Sequence, residues 1–148
     1  MARFIYMDVC ALSRPFDDQG FMRIRLETEA VNLILSKTGE GKFKLLVSPA
    51  HDVEIRAIDD TVERIKLQTI LSEMGERTKG DLPKIRARAE ELIQFGFGVV
   101  DAAHMAFAEY HGAEFITCDD RVIKKSLRHK INVWCGSPLA FCEKEGLK

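Results

Sequence analysis

The chain of 148 residues lacks any apolar run approaching the roughly 18 residues that a membrane helix needs. Its N-terminus offers one Arg and four apolar residues, Phe4 to Met7, before an acid. That is too short for the apolar region of a signal peptide, so a cytoplasmic protein is expected. The four cysteines, Cys10, Cys118, Cys135 and Cys142, form no C-x-x-C pair and no zinc-finger spacing. They sit among apolar neighbours, which predicts reduced, buried thiols. An excess of either charge is also missing: 22 basic against 23 acidic residues leave a net charge of −1. The balance gives no electrostatic signal of nonspecific nucleic-acid binding, and any contact with nucleic acid has to come from local basic patches. No repeat, low-complexity tract or linker breaks the sequence, so residues 1–148 are read as one domain.

What is present is ordinary globular composition, 46% hydrophobic and 30% charged. Short apolar runs alternate with helical periodicity. Strands are predicted at 3–8, 44–48, 114–119 and 131–135. RPFDDQGFM, 14–22, reads as a loop broken by Pro15 and Gly20, with Asp17 and Asp18 as surface turn residues. A helix over 23–37 would bury Leu26, Ala30, Leu33 and Ile34. Ser48-Pro49 starts a helix that runs to about Ser72, with Val53, Ile58, Val62, Ile65 and Leu71 inward. A turn at 75–83 leads to a helix from Asp81 to about Phe95. Further helices follow at 99–111, 121–129 and from Pro138 onward. Strands alternating with helices predict an α/β fold, a three-layer α/β/α sandwich on a central parallel sheet of about four or five strands.

Two strand-like runs, FIYMD and FITCDD, finish on acids, at Asp8 and at Asp119-Asp120. A buried lone carboxylate is costly. In open parallel sheets, however, sites form beyond the carboxyl ends of the strands. If the two strands are neighbours, Asp8 and Asp119 converge across 111 positions of sequence. Glu54, in the helix after the second predicted strand, borders the buried face. Asp52 beside it is expected to pair with Arg56 at i+4. Asp101 opens an otherwise apolar helix, VVDAAHMAFAEYHG, where favouring the helix dipole is the simpler account. Clustered carboxylates bind protons unless a cation sits among them. Oxygen-only donors favour Mg²⁺ or Mn²⁺ over zinc.

Other residues have plainer explanations. His104, one turn after Asp101, is expected to be packed and hydrogen-bonded rather than a ligand, Ser48 to be an N-cap, and Tyr6 and Trp134 to be core. Arg14, Arg121, Lys124, Lys125 and Arg128 follow the two acidic strand ends. They could hold phosphates, although a solvated face serves equally for 121–128.

In order, YMDVCALSR, LLVSPAHDVEI, DAAHMAFA and ITCDD resemble the motifs of the PIN domain family, over essentially the whole chain. The length is similar to that of compact, stand-alone, VapC-like members. The resemblance implies a metal-dependent endoribonuclease leaving a 5′-phosphate and a 3′-hydroxyl. It implies Mg²⁺ or Mn²⁺ held by Asp8, Glu54 and Asp101, with Asp119 supporting that ion or a second one. Thr117 would orient a carboxylate or a water. Asp119 keeps the T-x-D spacing, with a slip to Asp120 left open. RNA as substrate, a homodimer and a small antitoxin partner are further implications. A dehalogenase-like phosphatase wants an Asp where Cys10 stands, and a receiver domain wants an acidic pair at the first strand. A catalytically silent PIN-like binding module is the other alternative.

Overall fold

The computed structural model describes residues 3–148. Five parallel strands form one sheet: β1 Arg3–Met7, β2 Phe43–Val47, β3 Gly75–Arg77, β4 Glu114–Ile116 and β5 Cys135–Gly136. Their order across the sheet is β3-β2-β1-β4-β5. β1 is central, with Ile5 opposite Leu45 of β2 and Met7 opposite Ile116 of β4. The helices are α1 Val9–Leu12, α2 Met22–Gly39, α3 Pro49–Arg56, α4 Thr61–Met74, α5 Leu82–Gln94, α6 Val99–Tyr110, α7 Asp120–Arg128 and α8 Pro138–Glu145.

Strand side chains alternate between faces, so each strand feeds two cores. Ile5, Met7, Leu45, Val47 and Ile116 pack with Val31, Ile34, Leu67 and Phe141 on one side. Tyr6, Leu46 and Phe115 pack with Leu92, Ala102, Met105, Ala106 and Val122 on the other. Helices therefore cover both faces, and the α/β class and parallel sheet match the sequence expectation. Both faces being covered explains why these strands read as near-continuous apolar runs. No helix of the described residues is long and apolar enough to cross a membrane.

Several local expectations need correction. The helix expected from 49 to Ser72 is two helices, because Asp60 caps a new start, its side chain accepting from the Glu63 N–H at 2.8 Å. The break at 57–60 resets the helical phase. Val53, Val62 and Ile65 are exposed and Ile55 and Leu67 point inward instead, while Leu71 is buried as expected. In α2 the buried stripe is Glu27, Ala30, Val31, Ile34 and Leu35, so Leu26 lies in solvent. The loop at 14–22 contains a 3-10 turn, Arg14–Phe16, and the strand at 131–135 shrinks to Cys135–Gly136. Trp134 lies just outside it, its ring edge-on to Phe141.

The segment expected to turn at 75–83 begins with β3, the edge strand beside β2. Gly75 allows it. A Cβ there would meet Val47 Cγ2 at 2.1 Å and the Leu71 carbonyl oxygen at 2.4 Å. Backbone cannot yield as a side-chain tip can, so Gly75→Ala should cost about 2–3 kcal/mol. A lowered urea midpoint at unchanged slope is the expected readout. An unchanged midpoint would mean that β3 is free to move aside.

Candidate functional site

The acids gather where β1 and β4 end, and each is placed by local structure. Asp8 follows β1 and caps α1, its Oδ1 accepting from the Ala11 N–H at 3.1 Å. The Cys10 thiol donates to the same oxygen at 3.1 Å. Asp8 is buried, and its contacts are neutral donors. Burial pushes its carboxyl up to about 6, against the opposing pull of the Thr117 hydroxyl, the Cys10 thiol and the Ala11 N–H. The carboxylate is thus held in place while its charge is poorly compensated.

Thr117 follows β4 and is fully buried. Its Oγ1 accepts from the Asp119 N–H at 3.0 Å and lies 3.4 Å from Cys10 Sγ. The hydroxyl therefore ties the end of β4 to the end of β1. Asp119 caps α7, accepting from the Arg121 N–H at 2.9 Å. Asp101 stands in the first turn of α6, half-buried. Its carboxyl is raised by burial first, then by the negative charges of Asp119 and Glu54. Asp101 thus feels two acids placed by other helices, α3 and α7. Asp120 is different: Arg23 of α2 holds it through both guanidinium nitrogens, at 2.9 and 2.8 Å. Asp119, not its neighbour, is the acid coupled to Asp101.

Glu54 projects from α3 and is half-buried; its Oε1 lies 2.8 Å from His104 Nε2. His104 is 1% exposed and its other nitrogen lies 2.5 Å from the Tyr6 hydroxyl. It is packed and hydrogen-bonded, as expected. Asp52 departs from expectation. It pairs with Arg77 at 2.6 Å rather than with Arg56, because β3 brings Arg77 alongside α3. The Arg77 guanidinium is what lowers the Asp52 carboxyl.

The candidate phosphate-binding residues divide. Arg121 is 84% exposed on its side chain, near Asp119, and Lys124 is exposed on the same helix. Lys125 donates to the Gly96 carbonyl at 2.7 Å. Arg14 is engaged inward: it meets Asp17 at 3.0 Å and Glu27, itself buried, at 2.8 Å. Arg14 is therefore a structural cation. Arg23 and Glu27 carried no sequence signal, since each reads as an ordinary charged position in a helix. Arg14, Arg23 and Arg121 line an open pocket of about 420 Å³ with Asp119 and Asp120.

Whether these residues suit a divalent cation rests on their chemistry. Asp8, Glu54, Asp101 and Asp119 offer hard oxygen donors only; burial raises Asp8, and burial with repulsion from Asp119 and Glu54 raises Asp101. A cation among them would relieve both penalties, so the donor set fits Mg²⁺ or Mn²⁺. Among the described residues, however, no three His, Cys, Asp or Glu side chains stand close enough to hold an ion as placed. Asp8 is the fixed member, and the more exposed Glu54, Asp101 and Asp119 are the ones able to adjust.

No protein-family model matches the sequence, and no curated protein matches it. Solved structures do. A crystal structure of FitAcB from Neisseria gonorrhoeae aligns with a TM-score of 0.56 at 16% identity, covering 91% of this chain and 98% of that one. A structure of FitAB bound to an IR36 DNA fragment aligns with a TM-score of 0.53 at 16% identity, covering 90% and 94%. At such identity the likeness establishes the fold alone. It is the layered α/β architecture on a central parallel sheet that the sequence leads us to expect.

Proposed function

We propose that this chain is a Mg²⁺- or Mn²⁺-dependent endoribonuclease of the VapC-like PIN type and the toxin of a toxin–antitoxin pair. The observation that carries the reading is Asp8, a buried acid at the end of the central strand whose contacts are neutral donors. Such a group is destabilising unless it is used. The coupling of Asp101 to Glu54 and Asp119 supports the same reading. The likeness to FitAcB and to FitAB on DNA supports a small protein partner for this chain.

In this reading Asp8, Glu54, Asp101 and Asp119 hold the ion. When bound, the ion supplies a water of lowered pKa and neutralises charge on the phosphodiester oxygens. The protein's residues do the positioning. Asp8 is locked by Ala11 and Cys10, and Thr117 orients the β4 end through the Asp119 N–H. Arg121 and Lys124, exposed at the start of α7, meet backbone phosphates, which position RNA without reading its sequence. No protein nucleophile is required.

A homodimer is part of the proposal. Val53 and Val99 are 60% and 70% exposed, and with Val100 and Ala103 they form an apolar strip running past Glu54. Light scattering at micromolar concentration should give twice the monomer mass; a monomer would overturn the dimer.

Cleavage of a structured RNA should appear with Mg²⁺ or Mn²⁺, vanish with EDTA and return when Mn²⁺ is restored. Turnover that needs zinc and His104 would overturn the oxygen-donor reading. Mn²⁺ binding with no cleavage of any RNA would favour a silent PIN-like binding module.

A further inference from the structure

Glu54 has 38% of its side chain in solvent, against 26% for Asp119 and a buried Asp8. A flexible carboxylate at a metal site is a poor donor unless something orients it. The structure supplies a chain of buried polar groups behind it. Glu54 Oε1 lies 2.8 Å from His104 Nε2, His104 Nδ1 lies 2.5 Å from the Tyr6 hydroxyl, and that hydroxyl lies 2.7 Å from Ser48 Oγ. Ser48 Oγ also accepts from the Ala50 N–H at 3.2 Å. Tyr6, Ser48 and His104 are all buried.

The protons in this chain have one satisfactory arrangement. Glu54, as a carboxylate, only accepts, so His104 Nε2 carries the hydrogen. In a neutral imidazole Nδ1 is then an acceptor, and the Tyr6 hydroxyl donates to it. Ser48 in turn donates to the Tyr6 oxygen, while its own lone pair takes the Ala50 N–H. Every proton has an acceptor. With a doubly protonated ring, Tyr6 would have to donate to Ser48, leaving the Ser48 hydrogen without one of these acceptors. The Tyr6 ring is fixed independently, stacked between His51 at 4.6 Å and Phe115 at 5.6 Å. His51 is itself anchored, with Nδ1 accepting from the Ser48 N–H at 3.0 Å and Nε2 donating to the Met7 carbonyl at 2.7 Å.

We propose that His104 is a positioning residue that aims the Glu54 carboxylate into the site, its ring held in place by the Tyr6 and Ser48 hydroxyls in the core of the sheet. The inference rests on the metal-site reading above and adds the device by which a half-exposed donor is held. It gives Tyr6, an otherwise ordinary strand residue, a role at a site that it does not touch. The relay runs from β1 through α6 to α3, so three elements must be in register for Glu54 to be aimed.

The decisive variant is Tyr6→Phe, which keeps the ring stack and removes only the oxygen. His104 Nδ1 then loses its donor, and the ring is held only by its bond to Glu54. Calorimetric titration with Mn²⁺ alone should show affinity lowered about tenfold in Tyr6→Phe and about tenfold to a hundredfold in His104→Gln. Melting curves check that both variants fold. Tyr6→Phe added to Glu54→Gln should cost no further affinity, since the relay acts only through Glu54. Nitrogen NMR should find the Nε2–H tautomer of His104 in the wild type, with the Nδ1 resonance shifted in Tyr6→Phe by the loss of its donor. Wild-type Mn²⁺ affinity in both variants, or losses that simply add to that of Glu54→Gln, would overturn this inference alone. A wild type that binds no Mn²⁺ would overturn the metal-site reading and the inference with it.

Discussion

Asp8→Asn should reduce RNA cleavage on the order of 10³-fold while making the metal-free protein more stable. The two effects have one origin. Asp8 is buried among neutral donors, and its carboxyl is pushed up to about 6 from an ordinary value of 3.8. A carboxyl raised on folding contributes stability that is complete below the unfolded value and is lost as pH rises through the folded one. Above about pH 6 the ionised Asp8 therefore works against the fold. An amide of the same shape carries no charge, so at pH 8 the variant should gain about 2–3 kcal/mol in chelator. The gain should shrink as the pH falls and disappear below about pH 4, where the wild-type acid is protonated. Mn²⁺ should raise the melting temperature of the wild type and not that of the variant, because only the wild type binds. The measurement is a set of melts at pH 4, 6 and 8, with EDTA and with Mn²⁺, beside the cleavage assay. A variant that still cuts RNA would remove Asp8 from the site. A variant less stable at pH 8 would mean that Asp8 is a structural cap and nothing more.

Arg14→Ala should destabilise the protein by about 2–4 kcal/mol and shift the melting temperature down by roughly 5–12 °C. Glu27 is 2% exposed on α2, and its main partner is the Arg14 guanidinium, at 2.8 Å. Arg23 backs it at a longer 3.5 Å while also holding Asp120. Removing Arg14 leaves a buried carboxylate with one distant cation. The loss should be larger than for Arg121→Ala, whose guanidinium is mostly solvated and whose ion pair is worth little. Replacing the pair together, Arg14→Met with Glu27→Met, should recover most of the stability, since the cost lies in the stranded charge. Urea denaturation of the four proteins checks this. An Arg14→Ala protein of wild-type stability with weakened RNA binding would return Arg14 to the phosphate-contacting role that its place in the sequence suggested.

Arg14 shows where the sequence stops being informative. A cation six residues after an acidic strand end reads equally well as a phosphate ligand or as half of an ion pair. Its partner Glu27 is 13 positions away, on a helix where Ala30 and Ile34 are buried as expected but Glu27 takes the place expected of Leu26. The break at 57–60 was missed for a related reason. Apolar residues recur from Val53 to Leu71, and such a run carries straight through a cap such as Asp60 unless the cap is weighed first. Pairings across elements were invisible altogether. Asp52 was read with Arg56, one turn on, but β3 delivered Arg77.

By itself the sequence determined the class of the fold. Apolar runs too short for a membrane and too continuous for an exposed sheet require strands covered on both faces. It also determined which residues are acids at strand ends and helix starts, because Asp8, Asp101 and Asp119 stand at punctuation that local rules can read. The tertiary structure alone decided which of them feel one another. Asp101 is raised by Asp119 and Glu54, Asp120 is taken away by Arg23, and Glu54 is bound to a histidine 50 positions on. The physical reason is range. Capping and periodicity act within a few residues and leave a mark on the sequence, whereas the proton chain from Ser48 through Tyr6 and His104 exists only after β1, α3 and α6 have packed.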